Sequence, residues 1–369
     1  MCDKNYEIFL LNLFKYSVNK SIVEKMSADI TRILLKLKIR DNQMLSLECT
    51  SETIVSEIEH YISTYSKNLD LSNIFNTRTI PKGSYLIKND IYIHEGGCLN
   101  IEPGVQLYFS KDCGIIAYGK LMAQGIAEDP IVITGNNWSN LIFLQNSLLS
   151  GINNILEYVI IHGGRSRYTF PIGANKYTSI NLNGLGGNIC VIDADLNLNQ
   201  SIISSGHSKR GGGIFSYKGN IKLTDSIFCN NEATRNGGIE LNMASSVGNK
   251  SSHLNNILID SNKSKTSAGG IAIEKGIVDL MNLAIVNNYS EESCGGITIH
   301  HSILSDPKHI GKEYVRLSNS VITNNSGSTE GGLYTANCHI TDPITASNRI
   351  YNNTARDTDA HDIQQSFYK

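Results

Sequence analysis

The sequence has little proline, six in 369 residues, and no excess of either charge. Its 32 Lys and Arg against 34 Asp and Glu leave a net −2, so no global field draws it to nucleic acid or to an anionic membrane surface. No stretch approaches the ~18 apolar residues of a membrane span. The N-terminus, MCDKNYEIFLLNLFKYS, places an acid at position 3 and interrupts its short apolar run. No small-residue cleavage site follows, so it does not read as a secretory signal. Cys2, Cys49, Cys98, Cys113, Cys190, Cys229, Cys294 and Cys338 include no CxxC pair. That excludes a paired zinc motif and points to reduced thiols rather than a disulfide framework. P-loop and G-x-S-x-G patterns are absent as well, and no cofactor is implied. These features together place the chain in the cytoplasm, with unconventional export as the alternative.

What is abundant is glycine, at 32 residues, together with asparagine. Both tolerate tight turns, which suits a fold of many short strands. Two regions differ in period. Residues 1–75 carry helical spacing: Ile22, Met26, Ile30, Leu34 and Leu37 recur every three or four positions and would line one helix face. Ser21 and Glu24 have the spacing of a capping box at its start. Such a segment would either cap the open end of the following domain or dock a protein partner. Residues 76–369 turn to short β-rich runs such as YLIKNDIYI, CLNIEP and IVITG between Gly, Asn and Pro turns.

The second region repeats. Gly-Gly pairs fall at 186–187, 212–213, 237–238, 269–270, 295–296 and 331–332, spaced by 26, 25, 32, 26 and 36 residues. The pairs Asn230-Asn231, Ser261-Asn262, Asn287-Asn288 and Asn324-Asn325 precede four of them, and Asn352-Asn353 closes the series. A period near 25 built of strands and turns is the mark of a solenoid, whose coils bury apolar faces only by stacking. Glycine permits close approach between coils, and asparagines stacked at one corner can hydrogen-bond as a ladder. The spacing predicts ten or eleven coils with the Gly pairs along one edge.

Two stretches resemble right-handed parallel β-helix proteins of the pectin-lyase-like superfamily. Residues 96–143, GGCLNIEPGVQLYFSKDCGIIAYGKLMAQGIAEDPIVITGNNWSNLIF, are similar to the "L-x-I-x-P-G … G-x-L-x-A-x-G … P-I-x-x-T … W" opening of such proteins. The GG[IL] and xxNN repeats of 186–353 resemble those of chlamydial polymorphic outer-membrane proteins. The resemblance implies a mainly β fold, a right-handed parallel β-helix behind a small helical segment. The superfamily includes lyases, hydrolases, epimerases and non-catalytic surface proteins, so the fold does not choose among activities.

Aligned on the Gly pairs, the strands IFSY, IELN, IAIE, ITIH and LYTA alternate their side chains between two faces. Ile214, Ile239, Ile271, Ile297 and Leu333 point inward, with Ser216, Leu241, Ile273, Ile299 and Thr335. Two columns point outward: Phe215, Glu240, Ala272, Thr298, Tyr334, and Tyr217, Asn242, Glu274, His300, Ala336. Glu274 and His300 would be neighbours about 4.8 Å apart, a candidate acid–base pair, with Glu240 diagonal to Glu274. Glu274 would accept the proton and His300 would be the partner acid. Asn242, Phe215, Tyr217 and Tyr334 would bind substrate. Arg210, Arg235 and His207, just before the Gly pairs, would supply a basic rim with Lys209 and Lys265. Insertions within 243–253 and 302–313 would wall one side. The expected activity is binding, and lyase, epimerase or hydrolase modification, of an extended polymer: an acidic polysaccharide or a peptide. The rival is a non-catalytic interaction scaffold. Polar residues are also ordinary occupants of any solvated solenoid face. Asp357, Asp359, His361 and Asp362 read as the polar end of a last coil before they read as a metal site. His162, Arg165 and Arg167 read as a surface loop, and Trp138 as packing in an early coil. No metal is expected.

Overall fold

In the computed structural model of the protein the described residues are 71–127, 129–144, 153–167, 181–242, 251–300, 315–336, 348–357 and 362–366. The expected helices within 1–70 lie outside them. The first strand, Asn73–Ile74, already belongs to the stack, ahead of the expected start at 76.

Every paired strand among the described residues is parallel, in three curled sheets of 11, 17 and 6 strands. Together they form a β-helix-like solenoid. The first sheet holds the strands that follow the Gly pairs and their upstream equivalents, from Asn73–Ile74 to Ile363–Ser366. Its eleven strands are eleven rungs, the upper of the two expected coil numbers. The 17-stranded sheet is two adjoining rows, joined because Asn220–Cys229 and Ser251–Asp260 run through both. Asp225 and Asn256, with φ of 50° and 60°, bend those long strands at the corner between the rows. The third sheet stacks His207–Arg210, Glu232–Arg235, Lys263–Thr266, Tyr289–Ser290, Ser326–Gly327 and Thr354–Ala355.

Inward columns build the core. Ile214, Ile239, Ile271, Ile297 and Leu333 are all fully buried, stacked one rung upon the next. Each such side chain contributes about 1.5–3 kcal/mol relative to exposure, but only because a neighbouring rung covers it. Trp138 is fully buried beside Phe109, as expected, with ring centroids 5.5 Å apart and its indole N–H donating to the carbonyl of His162.

The Gly pairs stack along one edge. A Cβ on Gly212 would stand 2.3 Å from the carbonyl oxygen of Gly237, and one on Gly187 2.1 Å from that of Gly212. Close backbone approach therefore requires glycine at this corner. The Asn pairs divide their labour. The first member takes the left-handed conformation, with φ of 55° at Asn230, 56° at Ser261, 55° at Asn287, 57° at Asn324 and 56° at Asn352, a region Asn tolerates better than most residues. The second member forms the ladder: Asn231 donates to Asn262 at 2.9 Å, Asn262 to Asn288 at 3.0 Å, Asn288 to Asn325 at 3.0 Å and Asn325 to Asn353 at 2.9 Å. Asp362 ends this run. Its Oδ1 accepts from the backbone N–H and the side-chain amide of Asn353, and a carboxylate has no amide to pass the ladder on.

Candidate functional site

The register on the first sheet matches the alignment made on the Gly pairs. Tyr217, Asn242, Glu274, His300 and Ala336 occupy one column of successive rungs, and Phe215, Glu240, Ala272, Thr298 and Tyr334 the next. Exposure differs within and between the columns, with Ala336 buried in the first and Tyr334 alone accessible in the second. Tyr217, Asn242, Glu274, His300 and Tyr334 are half-buried. Glu240 is 0% exposed and Phe215 1%, and Ala272 and Thr298 are buried too. This corrects the expectation that both columns face solvent. Upstream on the same face Ile116, Ile142, Cys190 and Phe215, with Leu144 and Ile192, form a second apolar cluster that Leu182 and Leu185 close over. Phe215 therefore serves packing, with the Arg210 guanidinium 5.1 Å from its ring centre. It offers no flat surface to a ligand.

The charged groups form one network. Arg210 donates through Nε to Oε1 of Glu240 at 2.8 Å and through a terminal nitrogen to the same oxygen, and it reaches Oε2 of Glu274 at 3.3 Å. Arg235 donates to Oε1 of Glu274, and the Asn242 amide donates to Oε2 at 2.8 Å. Burial pushes the Glu240 carboxyl above its ordinary value, and Arg210 opposes that push. Burial also works against the charge of Arg210, but Glu240 and Glu274 outweigh it and hold the guanidinium protonated. Glu240 is thus a buried ion-pair partner, not a free acid. Glu274 accepts N–H groups on both oxygens, so the network holds its carboxylate in place.

His300 adjoins this network on the next rung. Burial lowers its pKa, Glu274 on the neighbouring strand pulls the other way, and Arg235 adds to the lowering. An imidazole below its ordinary value is neutral at physiological pH and can accept a proton. The His300 ring meets Tyr334 edge-on, with centroids 5.4 Å apart.

The proposed basic rim is split between two faces. Arg210 and Arg235 turn to the first sheet. His207 sits on the outward side of the third sheet, 3.7 Å from Glu232, away from Glu274. Of the expected insertions, residues 243–250 and all of 302–313 lie outside the described residues, as do Asp359 and His361, while 251–253 belong to the strand Ser251–Asp260. Among the described residues no three His, Cys, Asp or Glu side chains are grouped to hold a metal ion. Arg167 is structural: it clasps Asp90 with a bond of 2.8 Å and reaches Oγ of Ser139 at 3.0 Å. The sequence reading missed His253, Asp279 and Arg316 on the 17-stranded sheet. His253 Nδ1 lies 3.1 Å from Asp279, and Arg316 Nε donates to Asp279 at 2.8 Å. Aligning the strands that follow this first insertion would have placed them in one column.

Glu330, buried at the Gly corner, gives a pH prediction. Burial pushes its carboxyl above 4.5, while the Thr329 hydroxyl, which donates to it, holds it partly back. A raised acid pKa means the folded state binds the proton more tightly than the unfolded one. Its contribution to stability is complete below the unfolded value and is lost as pH rises through the folded value. Glu330→Gln should therefore gain stability relative to wild type as pH rises from about 4.5, measured as the difference between urea midpoints across pH. A difference that does not change with pH would contradict the placement of Glu330.

No family model and no solved structure matches the chain. A stretch of 55 residues, 15% of the chain, is 40% identical to Protein bark beetle of Drosophila melanogaster, and it spans 2% of that protein.

Proposed function

We propose that the solenoid is a right-handed parallel β-helix of the pectin-lyase-like kind, and that it binds an extended polymer along the outward face of its first sheet. The carrying observation is one column. Tyr217, Asn242, Glu274 and His300 lie on four consecutive rungs, all half-buried, with Tyr334 beside His300. From Tyr217 to Tyr334 the face runs four rungs, about 19 Å at 4.8 Å per rung. Rings at both ends and planar polar groups between them suit a chain of sugar rings or an extended peptide. The Arg210–Glu240–Glu274–Arg235 network fixes the floor and adds rigidity. Free thiols at Cys98, Cys113, Cys190, Cys229 and Cys294 suit a reducing compartment.

A catalytic reading rests on His300. Held neutral beside an anchored carboxylate, it would accept the proton in a lyase or epimerase step, with Glu274 stabilising the imidazolium that forms. The test separates binding from turnover. The full chain is screened against an oligosaccharide and peptide array, and the best ligand is titrated. Tyr217→Ala and Tyr334→Ala should each weaken binding about fivefold to tenfold through lost stacking. His300→Gln should remove any turnover and leave affinity within about twofold. Full affinity in both tyrosine variants would overturn the proposed face.

A further inference from the structure

We propose that the outward face of the third sheet carries a second binding site, a cleft for an anionic polysaccharide. The cleft encloses about 330 Å³ and is lined by Arg165, His207, Glu232, Lys263, Lys265 and Glu291 among others. It lies across the Gly corner from the Glu274 face. The inference takes from the polymer-binding reading only that the ligand is a long chain.

The cations of the two faces differ in how they are committed. At the first-sheet face both guanidiniums are committed, Arg210 to Glu240 and Glu274, Arg235 to Glu274. An acidic ligand there would have to lie against Glu274 and displace those bonds. In the cleft, Arg165, Lys263 and Lys265 make no side-chain hydrogen bond or ion pair among the described residues. All three are exposed. Their spacing follows from the register. Arg165 pairs with His207, His207 with Glu232, and Glu232 with Lys263. Arg165 and Lys263 are thus three rungs, about 14 Å, apart along the solenoid axis. Lys263 and Lys265 stand on one strand about 6.6 Å apart, on the same side. One small anion cannot reach both ends of such an array, whereas a chain with repeated anionic groups can.

The lining also discriminates between chains. It holds no Phe, Tyr or Trp ring and no apolar side chain larger than alanine, so a base finds only the His207 imidazole and the Arg165 guanidinium to stack on and a peptide has no apolar anchor. Of the third-sheet strands that line it, Glu232–Arg235, Lys263–Thr266 and Tyr289–Ser290 are paired on both sides, and His207–Arg210, the first strand of that sheet, is bridged on its other side by Arg165 and Leu185, so none offers an open edge for β-augmentation. Glu232 and Glu291 would repel a backbone charged at every step. A glycan whose charges alternate with hydroxyls meets lysines at some positions and carboxylates, as acceptors, at others. Sulfate and carboxylate groups both satisfy the ammonium groups.

The test uses the full chain and three fluorescent probes at equal length: heparin oligosaccharide, alginate oligosaccharide and poly-glutamate. Binding is read by polarisation. At least one glycan should bind, and about sixfold more salt should weaken it severalfold. The double variant Lys263→Glu with Lys265→Glu should lose about tenfold or more in affinity. Lys111→Glu with Lys222→Glu, the same charge change on exposed residues elsewhere, should lose less than about twofold. Equal losses in the two pairs would reduce the effect to net charge and overturn the site. Binding of poly-glutamate alone would overturn the ligand class. Heparin without alginate identifies sulfate as the anion, and the converse identifies carboxylate; either supports the site. The first-sheet reading fails separately: a ligand that ignores Lys263 and Lys265 but needs Tyr217 and Tyr334 sinks only this inference, and the reverse pattern sinks only that one.

Discussion

Asn262→Ala is expected to lower the unfolding free energy by about 3 kcal/mol, although the side chain touches no site residue. Asn262 Oδ1 accepts both the backbone N–H of Asn231, at 3.0 Å, and its side-chain amide. Its own amide donates to the carbonyl of Phe228 at 3.0 Å and to Asn288. Alanine leaves the Asn231 N–H buried without its acceptor and opens a gap at the corner. An unmade buried hydrogen bond costs more than a made one contributes. Substituting Asn230 instead should cost less, because that position asks only for a left-handed backbone. Urea denaturation of the two variants checks this. A loss below about 1 kcal/mol for Asn262→Ala would mean the ladder is ornamental to stability.

The second large effect is at Glu240. Glu240→Ala should destabilise the protein by about 3–5 kcal/mol, because it strands the Arg210 guanidinium. Arg210 keeps only the longer bond to Glu274. The double replacement Arg210→Met with Glu240→Leu should recover most of the loss, since apolar pairs of similar size often match a buried ion pair. If the single change were harmless, the Arg210–Glu240 bond would not organise the face. If the double change were as damaging as the single, packing rather than charge would be the cause.

Much of the fold was legible because one turn of chain makes one rung. Gly-Gly and xxNN recur at the coil period, and each maps onto a physical need: a corner with no room for Cβ, a left-handed residue, and a ladder amide. The register of Glu274 against His300 followed because every strand after a Gly pair has the same length. Exposure was not legible. The cover over Phe215 includes Leu182 and Leu185, outside the repeat, and periodicity says nothing about such segments. Nor was the partner of Glu240. Arg210 and Arg235 come from the third sheet and cross the Gly corner, while His207, three residues earlier on the same strand as Arg210, faces the other way. Alignment of one strand per coil could not show which cation turned to which face. The same limit hid Asp279 and His253, one strand further along each coil.

The most direct test of the polymer-binding face is histidine labelling with diethylpyrocarbonate, with and without the best ligand from the array. Half-buried His300, between Glu274 and Tyr334, should lose at least half of its labelling when ligand is bound. Exposed His253, on another sheet, should label equally in both conditions. Unchanged labelling of His300 at saturating ligand would contradict a binding site on the first sheet.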